Sequence, residues 1–135
     1  MKTIVKEITS TRHNIKEVED ILMIVNEEFK LPVEEYNKLM IVVTEVVMNA
    51  IVHGNKLDSS KLVKLTVNYN DKEMKIKIND EGNGFDFTNL PDPTTEENLL
   101  KNTGRGIFIV KSLIDDVEYK NTGKGSEIII TVKKK

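Results

Sequence analysis

The sequence predicts an α+β fold, a two-layer α/β sandwich in which helices cover one face of a mixed, mostly antiparallel sheet. Three observations carry this expectation. Two N-terminal segments repeat their apolar residues at helical spacing. Two later segments alternate apolar and polar residues and are joined by turn chemistry. A second alternating pair closes the chain, after a long stretch without any period and one short apolar helix. The predicted order is β, α, α, β, β, loop, α, β, β, within one domain spanning 1–135.

Residues 3–8 read as a short first strand. Residues 14–29 read as an amphipathic helix, with Ile15, Val18, Leu22 and Val25 on one face. Leu31-Pro32 breaks it, and Pro32 starts a second helix that runs to about His53, where Gly54-Asn55 ends it. Ile41-Val-Val43 and Val46-Val47 are β-branched, but the run is far too long for a strand. Between Leu39 and Val52 it is apolar nearly all round, so it is expected to be buried. Leu65, Val67 and Tyr69 alternate with Lys64, Thr66 and Asn68; Asn70-Asp71 turns the chain; Met74, Ile76 and Ile78 then alternate with Lys75, Lys77 and Asn79. Residues 85–103 hold Pro91 and Pro93 and form a long loop, of the kind that often serves as a lid. Residues 107–113 are read as a helix, and 117–120 with 127–132 as a last hairpin around Thr122-Gly-Lys-Gly125.

Composition excludes several classes. The 135 residues are 39% hydrophobic and 31% charged, enough for one core and a well-solvated surface. A net charge of -2 argues against direct nucleic-acid binding through phosphate contacts. Lys133-Lys134-Lys135 reads as a solvated end. With no cysteine, disulfides, thiol catalysis and Cys-ligated zinc are out, and His13 and His53 are too few for a His-rich metal site. The N-terminus lacks the apolar core of a signal peptide, and the longest apolar stretch, 39–52, is too short to span a bilayer. A cytoplasmic protein without a membrane partner is expected.

Four groups of residues carry candidate chemistry. Glu45 and Asn49 lie one helical turn apart and share a face. Asn49 offers a carbonyl oxygen suited to magnesium, Glu45 a carboxylate that could deprotonate a nucleophile, and His53 follows one turn on. The plainer alternative is that both side chains bond to a neighbouring loop. Asp80 continues the inward series Met74, Ile76, Ile78, so its carboxylate points to the core side and must accept hydrogen bonds there. An adenine amine is a fitting donor, and Gly82 and Gly84 would let the backbone approach a flat base. The alternative is an acidic Gly-rich surface turn. Gly104-Arg105-Gly106 opens a helix and exposes backbone N–H groups to an anion, with Lys101 and Arg105 adding positive charge; plain helix capping explains it equally well. Gly123-Lys-Gly125-Ser126 reads first as a tight turn, although Ser126 could reach the adenine side of a pocket.

Taken together, Glu45-Val-Val-Met-Asn49-Ala-Ile-Val-His-Gly54-Asn55, Asp80-Glu-Gly-Asn-Gly-Phe-Asp86, Pro91-Asp-Pro93 with Asn98-Leu-Leu-Lys101, and Gly104-Arg-Gly-Ile-Phe-Ile-Val110 resemble the boxes of the GHKL, or Bergerat, ATP-binding fold. More closely, the chain is similar to the anti-sigma-factor serine kinases of bacterial stress-response and sporulation switches. The resemblance implies that Asn49 would ligand the magnesium of ATP and Glu45 would be the general base. Asp80 would hold adenine above Gly82 and Gly84, with Ser126 near it. His53, Lys101, Thr103, Gly104, Arg105, Gly106 and Ile107 would complete the nucleotide site. It further implies a serine on a small STAS-like antagonist protein as substrate, a sigma factor as the sequestered partner, and a homodimer. His13 lacks the acidic neighbour of a phosphoacceptor motif, which argues against a histidine autokinase. Two alternatives remain: an ATP-gated binding module that moves no phosphate, and an α+β domain that binds no nucleotide.

Overall fold

Five strands form a single sheet in the order β1-β2-β3-β5-β4 in the computed structural model, which describes residues 1–81, 116–121 and 125–134. The strands are β1 (Lys2–Thr9), β2 (Leu62–Tyr69), β3 (Glu73–Asn79), β4 (Asp116–Asn121) and β5 (Ser126–Lys133). Two helices, α1 (Ile15–Phe29) and α2 (Val33–Asn49), lie between β1 and β2 in sequence. Every described ladder is antiparallel, so the expected mixed sheet is antiparallel throughout these residues. The predicted lid, 85–103, and the predicted helix, 107–113, lie outside the described residues.

Register explains the two layers. Ile4 faces Val67, Val67 faces Ile76, and Ile76 faces Ile130; Leu65 faces Ile78, and Ile78 faces Ile128. Because side chains alternate, these rows share one face of the sheet, and that face is the buried one. Against it α1 places Val18, Leu22, Val25 and Phe29, while α2 places Leu39, Val42, Val43, Val46 and Val47. The opposite face carries Lys64, Thr66, Asn68, Lys75, Lys77 and Asn79, exposed or half-exposed. There Lys77 approaches Glu127 at 3.7 Å, and Asn79 Nδ2 donates to the same carboxylate at 3.2 Å. One wet face is the usual condition of an antiparallel sheet.

Local signals set the ends of the elements. α1 stops where Lys30 turns left-handed at φ 57°, with the Asn26 amide oxygen accepting the Leu31 N–H at 2.9 Å. α2 starts directly after Pro32, and Glu34 and Glu35 in its first turn suit the positive end of the helix dipole. The β2–β3 turn is held by Asn70, whose side-chain oxygen accepts from the N–H groups of Lys72 and Glu73 at 2.8 and 2.9 Å.

Three expectations need correction. The first strand is longer than 3–8, since β2 pairs with it from Lys2 to Thr9. The second helix keeps α-helical winding only to Asn49; Ala50–Gly54 is a π-helical turn, with the Asn55 N–H reaching back to the Ala50 carbonyl at 2.8 Å. Nor is α2 buried all round: Ile41 is 49% exposed, and Met40, Thr44, Glu45, Met48 and Asn49 are half-buried, so one stripe faces outward. The sheet covers only one side of a helix that lies on it, whatever the polarity of the other side.

Beyond the π turn, Lys56 and Leu57 have φ of 53° and 59°. The left-handed region costs a residue with a Cβ roughly 1–2 kcal/mol. Leu57 is 45% exposed, so its side chain recovers little of this by burial. Leu57→Gly is therefore expected to stabilise the protein by about 0.5–1 kcal/mol in urea denaturation, after allowing for the greater freedom of glycine in the unfolded chain. Destabilisation would mean that the Leu57 side chain packs more than its exposure indicates.

Candidate functional site

The alternation along β3 carries Asp80 one step past Ile78, onto the buried face at the end of the sheet. There the neighbouring strand no longer offers an apolar residue but Ser126, the first residue of β5. Asp80 is 9% exposed and Ser126 3%, so this is a buried carboxylate and not a surface turn. Its charge is supported in two places. Ser126 Oγ donates to Asp80 Oδ2 at 2.5 Å, and Ser126 N–H donates to Oδ1 at 3.3 Å. The Asp80 N–H in turn donates to the Ser126 carbonyl at 3.0 Å. A carboxylate can accept about four hydrogen bonds, so a carboxylate held this way is a suitable acceptor for an amine.

Two glycines make the placement possible. A Cβ on Gly54 would lie 2.6 Å from Asp80 Oδ2 and 2.7 Å from Cγ, so the end of the π turn closes directly on the carboxylate. A Cβ on Gly125 would lie 1.8 Å from the Asp80 carbonyl oxygen, and the Gly125 φ of 153° is one that residues with side chains rarely adopt. The helix that carries Glu45 and Asn49 thus ends on Asp80.

Glu45 and Asn49 are half-buried, and among the described residues neither side chain makes a hydrogen bond or an ion pair. The alternative in which both are consumed by a neighbouring loop finds no bond there. His53 is exposed and sits in the π turn that follows α2. Gly82, Gly84, Lys101, Thr103, Gly104, Arg105, Gly106 and Ile107 lie outside the described residues.

Sequence reasoning missed what Gly54, Asn55 and Gly125 do. Apart from their place in the family resemblance, Gly54-Asn55 read as a helix stop, and Gly125 as part of a turn. Asn55 is 1% exposed, and its amide bonds to Ser10, Leu62 and Glu81. A Gly-Asn pair after a long apolar helix marks an end, but nothing in one sequence says which segments meet there.

Among the described residues no group of three or more His, Cys, Asp or Glu side chains is gathered to hold a metal ion. Nor is any described helix long and apolar enough to cross a membrane. An open cleft lined by Met1, Lys2, Glu28, Tyr69, Asn70 and Asp71 lies at the opposite end of the sheet from Asp80. Its Lys2–Glu28 ion pair is exposed, and it contains none of the residues predicted to carry chemistry.

A helix-covered antiparallel sheet that ends on a buried carboxylate is compatible with a nucleotide-binding domain. Residues 8–132 match the histidine kinase-like ATPase domain, and the chain belongs to that family. Within it, the chain is 32% identical over 104 residues to an anti-sigma F factor of Clostridium perfringens, covering 75% of this chain and 74% of that protein. It is 34% identical over 102 residues to the serine-protein kinase RsbW of Staphylococcus epidermidis, covering 70% of this chain and 64% of that protein. Among solved structures, the RsbU and RsbW domains of a Mycobacterium tuberculosis protein superpose with a TM-score of 0.70 over 100% of this chain and 34% of the other, at 14% identity. The histidine kinase domain of a blue-light-activated kinase from Erythrobacter litoralis gives 0.56 at 22% identity, over 76% of this chain and 46% of the other. These two likenesses establish the fold.

Proposed function

We propose that this chain is a Mg-ATP-dependent protein serine kinase that acts as an anti-sigma factor. In this reading it phosphorylates a serine on a STAS-like antagonist protein, sequesters a sigma factor, and works as a cytoplasmic homodimer. The observation that carries the reading is Asp80. A buried carboxylate at the end of the sheet, anchored on Ser126, suits the exocyclic amine of adenine. The names of the relatives, an anti-sigma F factor and a serine-protein kinase, supply the direction in which to read the site.

The donor set fits magnesium brought by the nucleotide. Magnesium keeps several waters and phosphate oxygens and needs only one or two protein oxygens, so the lack of an acidic cluster among the described residues is no obstacle. Asn49 would supply the amide oxygen, and the cation would neutralise charge on the phosphates. The remaining work of phosphoryl transfer is positioning and proton removal. Glu45, uncommitted among the described residues, would take the proton of the attacking serine hydroxyl on its carboxylate. Asp80 would hold the base, with Gly82, Gly84, Lys101, Thr103, Gly104, Arg105, Gly106 and Ile107 closing on the nucleotide.

Glu45→Ala is expected to bind ATP within about twofold of wild type and to lose transfer by roughly 10²–10⁴-fold, the usual contribution of a general base. Calorimetric titration with Mg-ATP measures the first, and transfer of label from ATP to a co-purified antagonist the second. Normal transfer by the variant would remove Glu45 from the mechanism. ATP-dependent partner binding by the wild type without any labelled product would instead make the chain a nucleotide-gated binding module.

A further inference from the structure

Asp80 is gripped at its side chain by Ser126, but a carboxylate is only as well placed as the backbone that carries it. The peptide before Asp80 is fixed by the bond from its N–H to the Ser126 carbonyl. The peptide after it is fixed from a different direction: the Glu81 N–H donates to Asn55 Oδ1 at 2.8 Å. Asn55 is itself immobilised. Its Nδ2 donates to Ser10 Oγ at 2.9 Å and to the Leu62 carbonyl at 3.0 Å, and its backbone N–H donates to the Ala50 carbonyl at 2.8 Å. Ser10 Oγ passes its own hydrogen to the Lys61 carbonyl at 2.7 Å. The amide orientation is dictated by its neighbours, because a flipped Asn55 would set its NH₂ against the Glu81 N–H and its oxygen against the Leu62 carbonyl. Asn55 is 1% exposed and Ser10 is fully buried, so water has little access to the Asn55 side chain.

We propose that Asn55 is a positioning residue for purine recognition. Through its side-chain oxygen it sets the plane of the Asp80–Glu81 peptide, and so the direction in which the Asp80 carboxylate meets the ligand amine. The proposal rests on the reading of Asp80 as the acceptor of that amine. The two arms of the Asn55 amide then have separate jobs. The oxygen arm aligns Asp80, whereas the nitrogen arm ties the end of β1 to the start of β2 and contributes stability.

The test compares ATP with purine riboside triphosphate, which lacks the 6-amino group, by calorimetric titration of the full chain, alongside thermal denaturation. Wild type should prefer ATP by about 10–100-fold, the range for a hydrogen bond to a charged acceptor. Asn55→Ala should lose most of that preference, roughly tenfold or more, chiefly through weaker ATP binding. Asn55→Asp keeps an acceptor for the Glu81 N–H and should keep the preference even as its stability falls. Ser10→Ala, which touches only the nitrogen arm, should melt earlier and discriminate as wild type does. If Asn55→Ala does not fold, Glu81→Pro deletes the same bond from its donor side, with Glu81→Ala as the control for the side chain. Equal preference in wild type and Asn55→Ala, or in Glu81→Pro and Glu81→Ala, would overturn the proposal and leave the reading of Asp80 standing. A wild type that binds both nucleotides equally would overturn that reading and this inference with it.

Discussion

Gly125→Ala is expected to be the most damaging single-methyl change among the described residues. The added Cβ would sit 1.8 Å from the Asp80 carbonyl oxygen, 2.8 Å from its carbonyl carbon and 3.1 Å from Glu81 Cα. These are backbone atoms, so no side-chain rotation relieves the overlap. The only escape is for β5 to draw away from the end of β3. That would break the Asp80 N–H bond to the Ser126 carbonyl and loosen both Ser126 bonds to the carboxylate. The φ of 153° adds strain for any residue with a Cβ. A loss of about 4 kcal/mol or more is expected in chemical denaturation, in the range reserved for named structural faults. Nucleotide binding should be lost with it. A Gly125→Ala protein with wild-type stability would mean that the β3–β5 junction is looser than this packing.

Asp80→Asn is expected to have the second-largest effect, and on binding in place of folding. The amide is nearly isosteric with the carboxylate and can still present its oxygen to the Ser126 hydroxyl. It cannot accept equally on both sides. Its NH₂ must then face either the Ser126 N–H or the ligand amine, a donor against a donor in each case. ATP affinity should fall by about 10–100-fold, corresponding to the ~1.5–3 kcal/mol of a hydrogen bond to a charged group, while thermal stability changes little. Binding of purine riboside triphosphate should hardly change, since it offers no amine to the site. Parallel losses for the two nucleotides would place Asp80 in the fold and not in recognition of the base.

Much of this was legible in one dimension. The period of two along β2 and β3 predicted which residues face the helices, and the same parity predicted that Asp80 turns inward. Pro32 and Asn70 announced their boundaries, because backbone restriction and short-range side-chain bonds act within a few residues. The helical spacing of Glu45 and Asn49 placed them on one face. The misreadings have a common cause. α2 looked buried on all sides because its sequence is apolar on most of them, yet how much of a helix is covered depends on what lies beside it. The π turn at Ala50–Gly54 left no mark in the pattern of residues. Apart from the family resemblance, which puts Ser126 near Asp80, the pattern of residues offered this pairing only as a remote option, since it depends on how β5 meets β3 across 46 residues of chain.

By itself, then, the sequence determined the strands and the two α-helices among the described residues, the buried face of β2 and β3, and the inward carboxylate. These follow from local geometry: 3.6 residues per helical turn, two per strand repeat, and the fixed φ of proline. Only the tertiary structure decided that Gly54 closes on Asp80, that Gly125 must lack a side chain, and that Asn55 joins segments lying between Ser10 and Glu81 in sequence. Such contacts are matters of distance between remote parts of the chain, set by how the layers pack, and no local period encodes them.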